Sequence, residues 1–349
     1  MQKLKASTVI EPLKELKNIL KKDHRRFTSR RKYQVTTVAG DGTPGYTDGP
    51  ALLAKFKSPL DIAVMPDGRI YIADGFNSSI RVMEKGQVTT FAGNGNANIT
   101  DGIANAARFK IPSRLTLDEK GNLYVLDAAD PRVRKIGPDA GVTTYAGTNR
   151  FGHRDGAATV AQFGQSFGIV SDLTGNIYIA DSQNHRIRKI SRDRFVSTIA
   201  GTGIEGVVNG KGDIAQFYLA TGIVIDKLGN LFVSDINRIR KITPNGMVST
   251  FTGGDTGYED GEKDVAKFSR IEDVAIDDRG NIFVTDENRV RKVTPNGFVS
   301  TLAGSTAGYQ DGDGTSAKFN NPQGLTLDQD GNIYVADFIN IRIRKISPG

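Results

Sequence analysis

The feature that most constrains this chain is one pattern that occurs six times at a nearly fixed spacing. Each copy contains an alternating apolar run that ends in Asp, and successive aspartates are separated by 53, 54, 54, 51 and 51 residues: Asp74, Asp127, Asp181, Asp235, Asp286 and Asp337. A Val-Thr-Thr or Val-Ser-Thr run closed by Gly keeps the same spacing: Gly40, Gly93, Gly147, Gly201, Gly253 and Gly304. Self-similarity at this period predicts a repeat array in which each copy is one structural unit.

Within one copy the apolar residues alternate with period two, which predicts strands joined by short turns. In the last copy, residues 325–327, 333–336 and 341–346 read as three strands, and the Val-Thr-Thr run supplies a fourth. The last copy lacks its fourth strand, whereas residues 35–39 are a fourth strand without a preceding unit. Joining the two ends closes a ring with few free strand edges. We therefore predict an all-β, six-bladed β-propeller over residues 35–349, with its N-terminal strand completing the last blade.

Residues 1–34 are predicted to form a separate basic N-terminal extension. They hold 11 Lys or Arg and 3 Asp or Glu, whereas residues 35–349 hold 35 and 36, so the net charge of +7 comes from the extension. Apolar residues recur there at helical spacing, which predicts a short amphipathic helix: Ile10, Leu13, Leu16 and Leu20. The alternatives are a helix docked on the propeller, a membrane or partner anchor, and salt-sensitive RNA binding.

The repeated units resemble NHL repeats, a family named for an Asn-His-Leu signature. The resemblance rests on NIYIADSQNHRIRKI at residues 176–190 and VTTVAG at residues 35–40. Asn184 and His185 fit the signature, while Arg186 stands at its third position. The resemblance implies the propeller fold but not one function, because the family includes protein-binding, RNA-binding and enzymatic members. The glycine-rich loops that end in Asp-Gly look most like those of bacterial exported members.

Composition limits the chemistry and leaves the compartment open. The chain has no Cys, so disulfides and thiol catalysis are excluded, and no apolar run is long enough to span a membrane. Met1 is not followed by the apolar core of a signal peptide. We expect either the bacterial periplasm or cell surface, if an export signal was trimmed, or the cytoplasm.

Residues repeated in every copy are expected to serve the fold. The six aspartates, with nearby Asn or Asp residues, are predicted to cap the turn between the second and third strands. Third-strand arginines such as Arg188, Arg240 and Arg344 are predicted to pair with carboxylates between blades. One Phe per copy is predicted to fill the space between neighbouring blades: Phe56, Phe109, Phe163, Phe217, Phe268 and Phe319.

Residues that differ between copies are the functional candidates. At the start of the first strands, beside the predicted central channel, these are Asp61, Arg114, Phe167, Glu272, Asp273 and Gln323. Two residues before the Asp-Gly of the long loops, three copies carry tyrosine: Tyr46, Tyr258 and Tyr309. Since strands alternate in direction, both sets are expected on one loop-rich face. One alternative is that this face binds a ligand. The other is that Asp61 pairs locally with Arg114 and the tyrosines pack within their loops.

The sequence favours a non-enzymatic binding or scaffold propeller that engages a protein or glycan partner through this face. A metal-dependent lyase or hydrolase at the channel mouth is the first alternative, and calcium on Asp61, Glu272 and Asp273 is the cofactor it would use. Only three histidines exist, which disfavours a three-His zinc centre. RNA binding through the extension is the second alternative, and nucleic acid is not otherwise expected. No other cofactor is predicted.

Overall fold

The computed structural model describes residues 33–349, which form a closed ring of six β-sheets around a central channel. The innermost strands of neighbouring sheets contact one another all the way round, including the last sheet and the first. This confirms the predicted six-bladed propeller. The predicted amphipathic helix of the extension lies outside the described residues.

The strands, numbered in chain order, are grouped into blades as follows. The first strand is β1 (Tyr33–Ala39), which belongs to blade six. Blade one contains β2 (Gly49–Pro50), β3 (Pro59–Val64), β4 (Ile70–Asp74), β5 (Ser79–Glu84) and β6 (Gln87–Gly93). Blade two contains β7 (Gly102–Ile103), β8 (Pro112–Leu117), β9 (Leu123–Asp127), β10 (Asp130–Ile136) and β11 (Gly141–Ala146). Blade three contains β12 (Gly156–Ala157), β13 (Gly168–Ser171), β14 (Ile177–Asp181), β15 (Arg186–Ile190) and β16 (Phe195–Ala200).

The second half of the ring follows the same order. Blade four contains β17 (Gly210–Lys211), β18 (Ala220–Ile225), β19 (Leu231–Asp235), β20 (Arg238–Ile242) and β21 (Met247–Gly253). Blade five contains β22 (Ile271–Ile276), β23 (Ile282–Asp286), β24 (Arg289–Val293) and β25 (Val299–Gly304). Blade six contains β26 (Gly312–Asp313), β27 (Pro322–Leu327), β28 (Ile333–Asp337), β29 (Arg342–Pro348) and β1. Short 3₁₀ helices lie at Ala51–Leu53, Gly75–Asn77, Ala104–Ala106 and Ser182–Asn184.

Five blades have one strand more than the four predicted. The glycine of the Asp-Gly, which is Asn209-Gly210 in blade four, begins a two-residue strand on the outer edge of the blade, as where Gly49 pairs with Val88. In blade five the same position forms a single bridge between Gly261 and Val299. The alternation of apolar and polar residues could not predict this strand, because two residues are too few to show a period.

Ring closure agrees with the prediction in its pairing and extends it in length. Strand β1 pairs antiparallel with β29, with Val35 opposite Ile346 and Tyr33 opposite Pro348. Tyr33 and Gln34, assigned from the sequence to the extension, are therefore the first residues of this strand. The two ends of the described chain are held by main-chain hydrogen bonds within one blade.

The repeated Phe residues lie between blades, as predicted. Phe56 is fully buried and packs with Ala336 and Ile343 of blade six and with Ile62 and Ile72 of blade one. The equivalent Phe occupies the same kind of cluster at each of the other junctions. Burial of one aromatic ring per junction stabilises the contact between neighbouring blades.

Every blade contains a fully buried arginine near its centre. The carboxylates that pair with it differ from those that the sequence predicted. Arg188 donates to Asp181 at 2.7 Å and to Asp155 of the Asp-Gly loop at 2.5 Å. Both carboxylates belong to the same blade, so the predicted pairing between blades is wrong. The guanidinium also donates to the carbonyls of Gln162 and Arg154 and lies over the ring of Phe163. The equivalent residues are Arg81, Arg134, Arg240, Arg291 and Arg344.

The six repeated aspartates tie each blade together, which confirms their structural role. Asp74 accepts hydrogen bonds from the amides of Lys57 and Ser58, from the side chain of Asn77 and from Arg81. It therefore fixes the approach to the first strand as well as the predicted turn. Blades four and five lack the bond from Asn, because Asp235 and Asp286 accept only from first-strand approach amides and from arginine. In blade two, Asp127 accepts only amide donors, including that of Ile111, and Arg134 pairs with Asp101.

Candidate functional site

The ring has two faces with different structures. The side that carries the long loops between blades, the starts of the first strands and the turns after the second strands is here called the loop face. We call the turn face the opposite side, which carries the tight turns between first and second strands: residues 65–69, 118–122, 172–176, 226–230, 277–281 and 328–332. The predicted site residues lie on the loop face or just below it.

Near its start, each innermost strand carries one residue at an equivalent position beside the central channel. We call these residues the channel ring: Asp61, Arg114, Gly168, Gly222, Asp273 and Gly324. Its members differ in charge although they occupy equivalent positions on six similar blades. The sequence predicted that blade-to-blade variation would concentrate here, and the structure places all six around one axis.

Arg114 crosses the channel. Its Nε donates to the carbonyl of Phe167 at 2.8 Å, and its two terminal nitrogens donate to the carbonyls of Leu60 at 3.3 Å and Glu272 at 3.2 Å. These acceptors come from blades three, one and five, so one side chain bridges three blades. The guanidinium therefore obstructs the channel on its loop-face side.

Asp61 is a buried carboxyl group that joins blade one to blade two. Its oxygens accept hydrogen bonds from its neighbour Ile62 at 2.8 Å and from Leu115 at 2.7 Å. Burial, reinforced by the nearby charge of Asp273, raises the pKa of Asp61 to about 8, although Arg114 opposes the shift. Asp61 and Arg114 make no direct hydrogen bond among the described contacts, so the local pairing considered from the sequence is a longer-range attraction.

Asp273 repeats this arrangement between blades five and six. It accepts a hydrogen bond from the amide of Leu325 at 3.2 Å, and burial raises its pKa as well. Glycines make room for both carboxyl groups. A Cβ atom on Gly324 would lie 2.0 Å from Oδ1 of Asp61, and one on Gly222 would lie 2.7 Å from Oδ1 of Asp273. Each buried acid therefore fits into the ring because a glycine stands at a neighbouring position.

The remaining channel candidates point elsewhere. The carboxylate of Glu272 pairs with Arg270 at 2.9 Å, and the side chain of Gln323 donates to Asn321 at 3.2 Å. Phe167 contributes its carbonyl to Arg114. Within residues 33–349, no group of three or more His, Asp or Glu side chains converges as metal ligands would. The structure thus brings Asp61 and Asp273 together but not Glu272, and the calcium hypothesis remains an untested prediction.

The three tyrosines form an arc on the loop face across consecutive blades five, six and one. The three residues are 48%, 46% and 43% exposed for Tyr258, Tyr309 and Tyr46, respectively. Arg289 stacks on Tyr258 and Arg342 stacks on Tyr309, each with its guanidinium carbon 3.9 Å from the ring centre. Each tyrosine hydroxyl also hydrogen-bonds a fourth-strand threonine, as Tyr258 does with Thr301 at 2.9 Å. One side of each ring is therefore fixed by the loop and the other faces solvent.

A large cavity opens on the turn face, where the sequence predicted no site. It has a volume of about 900 Å³ and runs from Asp61, Arg114 and Asp273 along the first strands to the turns. It also extends outward between blades three and four. Its mouth is flanked by Leu173 and Leu228, which are 76% and 80% exposed. The sequence did offer one signal for this cavity. These two turns carry leucine, whereas the equivalent turns of other blades carry polar residues such as Glu119, Asp278 and Gln329.

Comparisons with known proteins agree with this architecture. The NHL repeat family model matches residues 56–83 and 319–346. Human Teneurin-4 is 28% identical over 92% of this chain, which corresponds to 13% of its own length. The chain therefore spans only a small part of this relative.

Two solved structures from Bacteroides thetaiotaomicron share the fold. One, described as a structural genomics protein of unknown function, matches 90% of this chain and 76% of its own with a TM-score of 0.71 and 21% identity. The other, described as an auxiliary nutrient binding protein, covers the same fractions with a TM-score of 0.69 and 16% identity. No helix among residues 33–349 has the length and apolar content needed to cross a membrane. This chain is therefore a six-bladed β-propeller in which two of the six equivalent blades match the NHL repeat model.

Proposed function

We propose that this propeller is a non-enzymatic binding module that engages a protein partner through the tyrosine arc of its loop face. The observation that carries the proposal is the arc itself, formed by Tyr46, Tyr258 and Tyr309 on three consecutive blades. Protein interfaces concentrate their binding energy in a few aromatic anchors, and tyrosine supplies large contact area at low conformational cost.

The arc is organised before any partner arrives. A hydroxyl bond to threonine restricts each tyrosine side chain, and arginine also stacks closely on two of them, as Arg342 does on Tyr309. Side chains that are already ordered lose little further entropy on association. On the other half of the ring the equivalent positions carry Ile99, His153 and Val207, so the aromatic surface is confined to one side.

The experiment is partner capture from cells of the source organism with a matched pair of triple variants. One variant replaces Tyr46, Tyr258 and Tyr309 with Ser, and the control replaces Ile99, His153 and Val207 with Ser. We expect a partner recovered by the unchanged protein to be lost with the first variant and kept with the second. Retention of the same partner by a folded tyrosine variant would show that the arc is not the binding surface.

Stability must be measured on the same samples. Each lost cation–π contact at a half-exposed site costs about 0.5–1 kcal/mol, so the tyrosine variant should remain folded with a lowered melting temperature. Loss of capture together with a native melting transition would assign the loss to the surface rather than to unfolding.

A further inference from the structure

We propose that the cavity on the turn face binds a small organic cation with an apolar body, whose charged group reaches Asp61 and Asp273. This site lies on the side of the ring opposite the tyrosine arc, so it is independent of the protein-binding function proposed above. Three properties of the cavity carry the inference: its polar floor, its apolar walls and mouth, and its balance of charged groups.

The floor holds two carboxyl groups without a direct cationic partner. Asp61 accepts amide donors from Ile62 and Leu115, and Asp273 accepts one from Leu325. Within the described residues, neither forms an ion pair with Lys or Arg. A carboxylate oxygen can accept more than one hydrogen bond, so acceptor capacity remains on the cavity side. The guanidinium of Arg114 is already used by three carbonyls.

The walls above this floor are apolar. They are formed by the first strands and include Leu115, Ile169, Ile223, Val274 and Leu325. Small-molecule sites are typically concave and largely apolar, with a few polar groups that fix the orientation of the ligand. At about 900 Å³ the cavity is within the size range of such sites. The exposed Leu173 and Leu228 extend the apolar surface to the mouth.

The charged groups that face the cavity favour a cation. Acidic side chains outnumber basic ones in the lining, with Asp61, Asp172, Asp226, Asp273, Asp277 and Asp278 against Arg114, Lys189 and Lys227. The raised pKa of Asp61, about 8, arises from burial and from the charge of Asp273. A bound cation offsets both causes, so near neutral pH its binding should drive a proton off the carboxyl pair.

The test is calorimetric titration of the whole chain with three probes of equal length: octylammonium, octanol and octanoate. We expect octylammonium to bind at least about tenfold more tightly than octanol, and octanoate to bind more weakly than either. Titration in two buffers of different ionisation enthalpy should show proton release with octylammonium alone. Equal affinities for the amine and the alcohol, or amine binding without proton release, would overturn the proposal.

Variants locate the site on the floor of the cavity. Asp61→Asn and Asp273→Asn should each lose most of the preference for octylammonium over octanol. The control is Asp330→Asn, in a turn of the same face but outside the cavity, which should keep that preference. An unchanged preference in both floor variants would contradict the assignment. If a floor variant does not fold, the amine-to-alcohol ratio and the proton release of the unchanged protein decide the question.

Discussion

At the scale of single residues, the channel ring departs from the repetition that the six blades otherwise share in their cores. Equivalent positions carry two acids, one arginine and three glycines, although the surrounding backbone is nearly the same. Buried carboxyl groups without direct ion pairs cost folding free energy when they ionise. Asp61 and Asp273, which are 4% and 8% exposed, are thus expected to serve binding rather than stability.

We predict that the folding stability of the protein depends on pH through Asp61. Burial raises the pKa of Asp61 to about 8, above its ordinary value of 3.8, so the folded state holds the proton more tightly than the unfolded state. The stability contributed by this proton is present below pH 3.8 and is lost as pH rises to about 8. For one proton the slope is at most about 1.4 kcal/mol per pH unit.

Denaturant unfolding of the protein and of Asp61→Asn across this pH range measures the contribution. The difference in unfolding free energy between the two proteins should fall as pH rises and become constant above about pH 8. Asp193→Asn provides a control, because Ser191 lowers the pKa of this exposed carboxyl group and its contribution has the opposite sign. A difference that does not vary with pH would show that Asp61 ionises normally.

At the scale of one blade, the organising element is the buried arginine that joins the third strand to two carboxylates. In blade three, Arg188 connects β15 to the end of β14 through Asp181 and to the outer loop through Asp155. Removing one partner of a buried ion pair leaves an uncompensated charge, which is more costly than exchanging the whole pair.

We predict that Arg188→Met lowers the free energy of unfolding by about 3–5 kcal/mol. Met fills much of the same space but leaves Asp181 buried without its cation. The matched control is Arg186→Met on the same strand, whose guanidinium is only partly buried and bonds to the carbonyls of Asn184 and Thr202. Chemical denaturation of both variants measures the difference. Equal losses in the two variants would contradict the central role of Arg188.

Much of this element was predictable, because repetition marks which residues serve the fold. The six aspartates and the Phe between blades were assigned correctly from their recurrence alone. The carboxylates that pair with the arginines were not assigned correctly. Strand periodicity predicts the side of a sheet on which a side chain lies, but it does not predict which loop covers that side. Asp48 and its equivalents reach the arginine because the Asp-Gly segment returns to the same blade as an edge strand.

At the scale of the whole molecule, the ring presents two different surfaces. The loop face carries the tyrosine arc and is obstructed at the channel by Arg114, whereas the turn face opens into the cavity. The sequence predicted the six blades, their closure and the grouping of variable residues at the channel. It did not predict the cavity, because its depth depends on how Arg114 crosses the axis and on which turns expose leucine.

Site-specific photo-crosslinking tests most directly whether a protein partner binds the loop face, as we propose. A photoreactive phenylalanine analogue is placed at Tyr309 on the arc or at Leu228 on the turn face, both of them exposed positions. Irradiation in cells should yield a protein adduct from position 309 and none from position 228. Adducts from position 228 with none from position 309 would place the partner on the opposite face and contradict the account.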